Sequence, residues 1–372
     1  MNTVSKKNIL IVLPSLTLGG AEKQALHYAI AIANSEKYNP VVIGMGKDGA
    51  LIDVLKENKI DYDSFSASPF MNGGRIQKIV FLIRFLFYLR KFKPRTIISF
   101  TYWPNVLVGI VWRYSSAKTF FWNQRSVDDS MGMSIWEKLA IRSKPGYLAN
   151  SRTCAEFISK RHAINSESIT IIWNAINTLE KEDSKEVNEV LRFLMVANFY
   201  PEKDYSTLLK SFAEYQKNGT NPKAELHIIG SAPGNSPKLA EAKAEAFDLG
   251  LSHNVVFHGS VTNPEKIMRQ ADIGILSTRS EGFSNAIMEY MVYGLPIIAT
   301  NISPNREALD EKNAEYLFPV GDSEALTALM EKLSLNEDLR NSLGNFNKKL
   351  AKEKFNLRDF QHKLYSTIHI DA

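Results

Sequence analysis

The sequence predicts an α/β protein with two doubly wound domains, each a parallel sheet covered by helices on both faces. Three observations support this prediction. Short apolar runs of the buried-strand type alternate with segments of helical spacing along almost the whole chain. A polar and charged segment, 174–185, interrupts the alternation once near the middle. The chain of 372 residues is also too long for one ordinary core and suits two domains.

The first series of elements begins at residue 8. Its strands are predicted at 8–13, 40–45, 60–65, 96–100, 119–122, 147–149 and 168–172. Its helices are predicted at 21–33, 50–58, 74–92, 105–112, 134–142 and 152–161. Gly19 and Gly20 stand between the first strand and the first helix, and this order opens many nucleotide-binding α/β units. A tight turn explains the two glycines equally well, since they match neither G-x-G-x-x-G nor a P-loop.

The second series follows the polar segment. Its strands are predicted at 191–197, 225–230, 254–259, 273–276, 295–299 and 316–319. Helices are predicted at 205–216, 237–249, 264–270, 323–333, 337–354 and 355–370, with a further short helix after 284. The predicted domains are therefore 1–178 and 179–354, and the C-terminal segment 355–372 can cross back to the N-terminal domain.

The composition is that of a soluble globular protein, with 44% apolar and 23% charged residues. The net charge of +5 permits an acidic ligand or a membrane surface and does not require nucleic acid. The single Cys154 excludes an intramolecular disulfide and suits a reducing compartment. The apolar run at 9–13 is too short for a signal-peptide core or a membrane span, so we expect a cytoplasmic location.

A loop and a helix start between two glutamates organise the second series. Glu281 and Glu289 stand eight residues apart, and Ser284 or Asn285 can serve as the N-cap of the helix between them. Gly294 can end this helix in the left-handed conformation. The N–H groups at a helix start lack partners within the helix, and they suit an anion such as a diphosphate.

Two more loops follow strands of the same predicted sheet. Lys203 comes after the strand at 191–197 and can reach an anion at the carboxyl edge, where α/β sheets bind ligands. A lone lysine is more often simply solvated. The loop 230–234 has small residues that allow close backbone approach, although a plain turn explains it as well. Together, a cation, small residues and two acids at one edge indicate a ligand with phosphate and hydroxyl groups.

With these segments in place, the chain resembles the retaining glycosyltransferases of family 4 (glycosyl transferases group 1). Their GT-B architecture has two Rossmann-like domains facing a cleft. The main match is the E-x7-E signature of the family, here Glu281 to Glu289 with 282–285 between them. Further matches lie at 201–203 and 294–300, and weaker ones at 19–22, 149–151 and 172–176. The resemblance covers nearly the whole chain and is strongest in the C-terminal half.

The resemblance implies roles for the residues of this signature. Glu289 would bind the ribose hydroxyls of a nucleotide-sugar donor, and Glu281 would contact the hydroxyls of the transferred sugar. Lys203 would neutralise the diphosphate, together with backbone N–H groups at the helix start. Those N–H groups belong to Phe283, Ser284 and Asn285.

The resemblance also assigns roles outside the signature. Gly19 and Gly20 would let the N-terminal loop approach the diphosphate. Arg125 lies in the loop where many members have a His near the sugar, and we expect it to replace that His as a catalytic residue. Glu307 occupies the place of the Gly-Gly-x-x-Glu loop of the family and is a further donor-site candidate.

Three positions depart from the family pattern. Members usually have Gly-Arg where this chain has Ala197 and Asn198, and the Arg is a phosphate ligand. Asp204 stands where a Gly usually follows the Lys. The neutralisation of phosphate is therefore expected to depend on Lys203, the loop N–H groups and Arg125.

Two other segments have a competing functional interpretation. Asp61-Tyr62-Asp63 matches the D-x-D metal motif of another glycosyltransferase architecture, but it lies on a short edge strand of the wrong domain. The histidines show no metal-site spacing, so no metal is expected. The basic and apolar helix at 75–93 could face a membrane, whereas a helix packed on the sheet with a basic end is the favoured interpretation.

The resemblance implies a metal-independent retaining enzyme that needs no cofactor. It would move a sugar from a nucleotide diphosphate sugar, most often UDP-linked, to a hydroxyl of a glycan or lipid-linked acceptor. The setting would be bacterial surface-polysaccharide or lipopolysaccharide assembly at the inner face of the cell membrane. Two alternatives stay open. One is a GT-B nucleotide-sugar epimerase or sucrose-type synthase, and the other is a non-catalytic subunit that binds a nucleotide-sugar.

Overall fold

The computed structural model describes the chain in five stretches. These are residues 6–127, 132–177, 190–232, 236–261 and 263–369. The chain divides into an N-terminal unit, residues 1–175 with 357–372, and a C-terminal unit, residues 176–356. The predicted domain boundary at 178 and most of the predicted linker lie outside the described residues.

Within the described residues, the N-terminal unit contains a sheet of seven parallel strands. These strands, β1 to β7, are Lys7–Leu13, Tyr38–Gly44, Asp61–Ser64, Thr96–Phe100, Thr119–Gln124, Gly146–Ala149 and Ile169–Ile171. Their order across the sheet is β3-β2-β1-β4-β5-β6-β7, so the strand order reverses between β1 and β4. Open α/β sheets bind ligands outside the carboxyl ends of the strands at such a switch point.

Helices cover both faces of this sheet. The helices α1 to α7 are Gly20–Ala33, Leu51–Glu57, Ser68–Asn72, Arg75–Lys91, Tyr102–Val111, Ile135–Ile141 and Arg152–His162. Along β1, Leu10 and Val12 enter one core cluster, while Ile9, Ile11 and Leu13 enter the other. Successive side chains of a strand point to opposite faces, so a continuous apolar run is what a strand buried on both faces requires.

A sheet of six parallel strands forms the centre of the C-terminal unit within the described residues. The strands β8 to β13 are Arg192–Val196, Glu225–Ile229, Val255–Gly259, Ile273–Leu276, Ile297–Thr300 and Leu317–Phe318. They lie in the order β10-β9-β8-β11-β12-β13. The helices α8 to α14 are Tyr205–Lys217, Lys238–Asp248, Glu265–Gln270, Asn285–Val292, Ser303–Ala308, Ser323–Ser334 and Glu337–Lys354. The predicted α/β class with two parallel sheets is confirmed.

The last helix, α15 (Leu357–Ile368), packs in the N-terminal unit. Its buried residues Phe360, Leu364 and Ile368 recur every four residues and join the core on the α1 side of the sheet. The ring of Phe360 meets that of Tyr28 on α1 edge to face, with 5.1 Å between the centroids. Within the described part of the chain, no helix has the length and apolar character that would let it cross a bilayer.

The structure differs from the predicted elements at short helices. The helix α5 begins at Tyr102 rather than at 105, because Pro104 falls within its first turn, where the missing N–H has no partner to lose. The helices α3 and α12 have no counterpart among the predicted elements. Each has five or six residues, which is too short for a helical period to show in the sequence.

A buried carboxylate joins α6 to α7 in the N-terminal unit. The Glu137 side chain is fully buried and accepts two hydrogen bonds from Arg161, at 2.6 and 2.9 Å. It also accepts one from His162 at 2.9 Å and one from the Tyr102 hydroxyl at 3.1 Å. Burial alone would raise the pKa of Glu137, but the bonds from His162 and Arg161 outweigh it and lower the pKa to about 2.

The buried hydroxyl of Tyr290 positions α11 on the sheet of the C-terminal unit. It accepts a hydrogen bond from the Val196 N–H at 2.7 Å and donates one to the Ile275 carbonyl at 3.1 Å. The ring packs on Gly274, where a Cβ would lie only 2.6 Å from ring carbons. Two neighbouring strands, β8 and β11, therefore fix the helix that carries Glu289.

We expect Tyr290→Phe to destabilise the C-terminal unit. The substitution keeps the ring and leaves the half-buried Val196 N–H without its partner, at a cost of about 1 kcal/mol. The melting temperature should fall, and amide hydrogen exchange at Val196 should accelerate. Tyr114→Phe, at an exposed position, is the matched control and should change neither. An unchanged melting temperature in the Tyr290 variant would contradict this anchoring role.

Candidate functional site

The start of α11 has the cap that the sequence predicts. Ser284 is the N-cap residue, and its hydroxyl accepts a hydrogen bond from the Ile287 N–H at 3.3 Å. The helix ends before Tyr293, and Gly294 follows with φ of +68°, in the left-handed region. Phe283 and Ser284 are buried, so their backbone is held firmly at the carboxyl edge of β11. A fixed helix start of this kind provides oriented N–H groups for an anion.

The structure brings Lys203 and Glu281 into direct contact. The Lys203 Nζ atom lies against the Glu281 Oε1 atom, and their side chains are 14% and 15% exposed. The two loops that carry them are also joined through the backbone. Lys203 pairs with Thr278 in an antiparallel bridge, and the Arg279 N–H donates to the Glu202 carbonyl at 2.8 Å. The cation and the acid are thus placed side by side by two interlocked loops.

Glu289 and Glu307 lie on helices that start at the same edge of the sheet. Glu289 is half-buried in the second turn of α11. Glu307 is half-buried in α12, which follows β12, the strand beside β11. The backbone carbonyl of Glu307 accepts a hydrogen bond from the Lys354 ammonium, which holds the end of α14 against α12. Together with Lys203 and Glu281, they make four predicted site side chains on adjacent loops and helix starts.

Asn198, which departs from the family pattern, has a structural role. Its side-chain oxygen accepts hydrogen bonds from the N–H and the hydroxyl of Ser231, both at 2.9 Å. A Cβ at Gly230 would collide with the Ala197 carbonyl oxygen, so the loop after β9 needs a glycine there. The amide of Asn198 thus fixes the neighbouring loop. Residues 233–235 of this predicted loop lie outside the described residues.

Two charged residues outside the predicted donor-binding set, Arg279 and Asp204, also lie at this edge. The guanidinium of Arg279 is 3.4 Å from each carboxylate oxygen of Asp204, and its side chain is 61% exposed. Asp204 is buried and caps α8 by accepting from the Thr207 N–H at 3.3 Å. An aspartate just before a predicted helix is a cap signal, but nothing in the sequence pairs it with Arg279.

Arg125 follows β5 in the N-terminal unit and is buried. It donates a hydrogen bond to the Asn174 side chain, and its guanidinium lies 5.2 Å from the centre of the Phe100 ring at the end of β4. Burial lowers the pKa of the guanidinium below its usual range. An arginine in this setting is a rigid donor whose remaining N–H groups are oriented by the protein.

Glu22 is the acid that accompanies Arg125. It lies in the first turn of α1, is 7% exposed, and accepts a hydrogen bond from the Ser15 hydroxyl at 3.3 Å. Burial raises the pKa of Glu22, against the opposing effects of that bond and of the Arg125 charge. A Cβ at Gly19 would lie 2.6 Å from the Glu22 carboxylate. A side chain at position 19 would therefore displace the Glu22 carboxylate, and Gly20 begins α1 directly after it.

The D-x-D segment lies on β3, the edge strand of its sheet. Asp61 accepts a hydrogen bond from the Asn39 amide at 2.9 Å, and Asp63 lies 3.6 Å from the Lys91 ammonium. Among the residues that the structure describes, no three His, Cys, Asp or Glu side chains form a group that could hold a metal ion. Both aspartates have protein partners, which accounts for them without a metal.

The sheet edge of the C-terminal unit and the fold as a whole are both found in known glycosyltransferases. Residues 177–350 match the family described as glycosyl transferases group 1. The resemblance to that family predicted from the sequence is confirmed over this part of the chain. The whole chain also has the fold of HepE from Anabaena, crystallised in complex with UDP-glucose. The TM-score is 0.84 at 16% identity, with 97% of this chain and 99% of that one covered.

Curated relatives are similar over part of their length. The capsular polysaccharide biosynthesis glycosyltransferase CapM of Staphylococcus aureus is 25% identical over 245 residues, which are 62% of this chain and 63% of the relative. The O-antigen chain mannosyltransferase C of Escherichia coli is 27% identical over 242 residues, or 61% of this chain and 60% of the relative. The matched region thus spans less than two thirds of each relative.

The opposite pKa shifts of Glu22 and Glu137 predict opposite pH responses. The raised pKa of Glu22 gives stability that is present below the ordinary value of 4.5 and is lost as pH rises through the folded value. The melting temperature of Glu22→Gln, relative to the unmodified protein, should therefore increase as pH rises above 4.5. Thermal melts of both proteins across a pH series would measure this difference in melting temperature.

Glu137→Gln is the matched comparison. Because the folded pKa of Glu137 is lowered to about 2, its stabilising effect is present above 4.5 and is lost as pH falls towards 2. This variant should be the less stable one at neutral pH, and its deficit should shrink in acid. If the two variants changed with pH in the same direction, the assigned environments of the two carboxylates would be wrong.

Proposed function

We propose that this protein is a metal-independent retaining glycosyltransferase that uses a nucleotide diphosphate sugar, with UDP as the nucleotide. The observation that carries the proposal is the contact between Lys203 and Glu281 beside the capped start of α11. A cation, an acid and oriented N–H groups at one sheet edge match a donor that has a diphosphate and sugar hydroxyls. The match to group 1 glycosyltransferases covers this same edge.

The chemistry requires the positive groups to act where negative charge develops. When the bond between the anomeric carbon and the diphosphate breaks, the leaving oxygen gains charge, and fixed donors there stabilise the transition state. Lys203 and the N–H groups of Phe283, Ser284 and Asn285 would supply this stabilisation. Glu281 would accept hydrogen bonds from the transferred sugar, and Glu289 from the ribose. A neighbouring carboxylate also favours an oxocarbenium-like carbon.

Without a donor, the charges of Lys203 and Glu281 compensate each other. An incoming diphosphate would compete for the ammonium of Lys203 and would free the Glu281 carboxylate for sugar hydroxyls. One binding event would then prepare both groups for their roles. Because the loops are joined through their backbones, this exchange needs only side-chain movement, which keeps the site preorganised.

We assign the donor mainly to the C-terminal unit and the acceptor to the N-terminal unit, where Arg125 and Glu22 form a second charged cluster. The acceptor class we propose is a glycan or lipid-linked hydroxyl at the inner face of the cell membrane, in surface-polysaccharide assembly. Similarity to a capsular polysaccharide glycosyltransferase and to an O-antigen mannosyltransferase supports this setting.

Glu289→Ala should weaken nucleotide binding. Removing a charged acceptor of the ribose hydroxyls should cost about 2 kcal/mol, or roughly thirtyfold in Kd. A thermal-shift screen of nucleotide-sugars would first identify the donor, since a ligand of the folded state raises the melting temperature. Titration calorimetry with UDP would then compare the variants. Glu241→Ala, on exposed α9 surface, is the control, and an unchanged UDP affinity in Glu289→Ala would refute the site assignment.

Sugar transfer should continue in the presence of a chelator. Because the charge of the leaving diphosphate would be compensated by Lys203 and by backbone N–H groups, no divalent ion is needed for that step. Transfer from the donor found in the screen would be measured with and without EDTA, and again with added Mg²⁺. A collapse of the rate in EDTA that Mg²⁺ restores would overturn metal independence.

A further inference from the structure

The outward face of α4 is apolar. Its large apolar side chains stand well out of the protein: Ile76 is 78% exposed, Ile79 54%, Val80 47%, Ile83 51% and Phe87 61%. Their spacing of three or four residues places them along one side of the helix. The opposite side carries the buried residues of α4, which are Phe81, Phe85 and Leu89. The helix is thus apolar on both the core side and the solvent side.

This pattern is unusual for a helix at a protein surface. Such a helix normally has a polar outward face, and single exposed apolar residues are scattered elsewhere. In the C-terminal unit, Phe247 and Leu335 are examples of such single exposures, on α9 and just after α13. The inner side of α4 is satisfied by aromatic packing, since the Phe81 and Phe85 rings stack with centroids 5.7 Å apart. The fold therefore leaves the outer stripe uncovered.

The borders of this stripe are basic. The helix α4 contains five basic residues and no acidic residue: Arg75, Lys78, Arg84, Arg90 and Lys91. On a helix of 3.6 residues per turn, Arg84 and Lys91 lie along one border of the stripe and Arg75 along the other. Asp63, at 3.6 Å from Lys91, is an exposed partner that water screens. An apolar stripe between cations matches a surface of acyl chains below anionic headgroups.

We propose that the outer face of α4, defined by Ile76, Ile79, Val80, Ile83 and Phe87, docks onto an anionic lipid bilayer. The helix lies in the plane of the interface, with the apolar stripe at the acyl boundary and the arginines at the phosphates. Its 17 residues span about 25 Å. The inference deepens the proposed function and rests on it only for the membrane setting, because the surface itself is argued from α4.

Vesicle sedimentation tests the proposal with the full chain. The probes are vesicles of phosphatidylglycerol mixed with phosphatidylcholine, and vesicles of phosphatidylcholine alone. The unmodified protein should bind the anionic vesicles more strongly, and binding should fall as salt is raised towards about 0.5 M. The double variant Ile83→Ser with Phe87→Ser should lose about tenfold or more of the partition coefficient.

The matched control is the double variant Phe247→Ser with Leu335→Ser. It removes the same kind of exposed apolar area, with both side chains 73% exposed, from the other unit. It should bind anionic vesicles like the unmodified protein. A second pair, Arg84→Gln with Arg90→Gln, should weaken binding mainly at low salt, because it removes the electrostatic part of the attraction. Melting temperatures would establish that each variant is folded.

Three outcomes would overturn the proposal. These are no binding of the unmodified protein to anionic vesicles, an equal loss in the control pair, and a folded Ile83 and Phe87 variant that binds as before. If that variant instead turned a dimer into a monomer in sedimentation velocity, with vesicle binding unchanged, the stripe would be a contact between two copies. The thermal shift induced by UDP distinguishes failure of membrane docking from failure of the proposed function. This shift depends on the donor site, so the α4 variants should keep it.

Discussion

The hydroxyl of Tyr290 is the interaction on which the geometry of the candidate site depends. It joins β8 and β11 to α11, and only a glycine at 274 lets the ring approach the sheet. The strand β8 leads to Lys203, β11 leads to Glu281, and α11 carries Glu289. A single buried side chain therefore fixes the positions of β8, β11 and α11 relative to one another. Because the bonds are buried and oriented, the site is ordered before any ligand arrives.

Both units place a cation and an acid near each other at the carboxyl edge of a sheet. Lys203 contacts Glu281, and Arg125 accompanies Glu22. An unpaired charge with little access to water would cost far more than a paired one. Such pairs can exchange partners when an anion or a hydroxyl-rich ligand binds. The same residues can therefore stabilise the unliganded chain and recognise a charged substrate.

The sequence predicted the α/β class, the strand and helix order and the cap at Ser284, because each depends on residues near one another in the chain. The shared edge of Lys203 and the two glutamates followed from the rule that ligands bind beyond the carboxyl ends of parallel strands. The bond of Asn198 to Ser231 and the electrostatic influence of Arg125 on Glu22 were not predictable. They join residues that are distant in sequence, and no local period indicates them.

The sequence pattern of α4 correctly predicts packing on the sheet, but the fold shows that this packing covers only part of its apolar surface. From sequence, an apolar helix with basic residues was interpreted as packed on the sheet, and Phe81, Phe85 and Leu89 do pack there. Packing on the sheet uses only one side of a helix, however, and α4 is apolar on two opposite sides. Burial against the sheet cannot account for Ile76, Ile83 and Phe87, which remain exposed. A helix that is apolar on two opposite sides needs a second apolar neighbour, and the basic borders of its outer stripe favour a lipid surface as that neighbour.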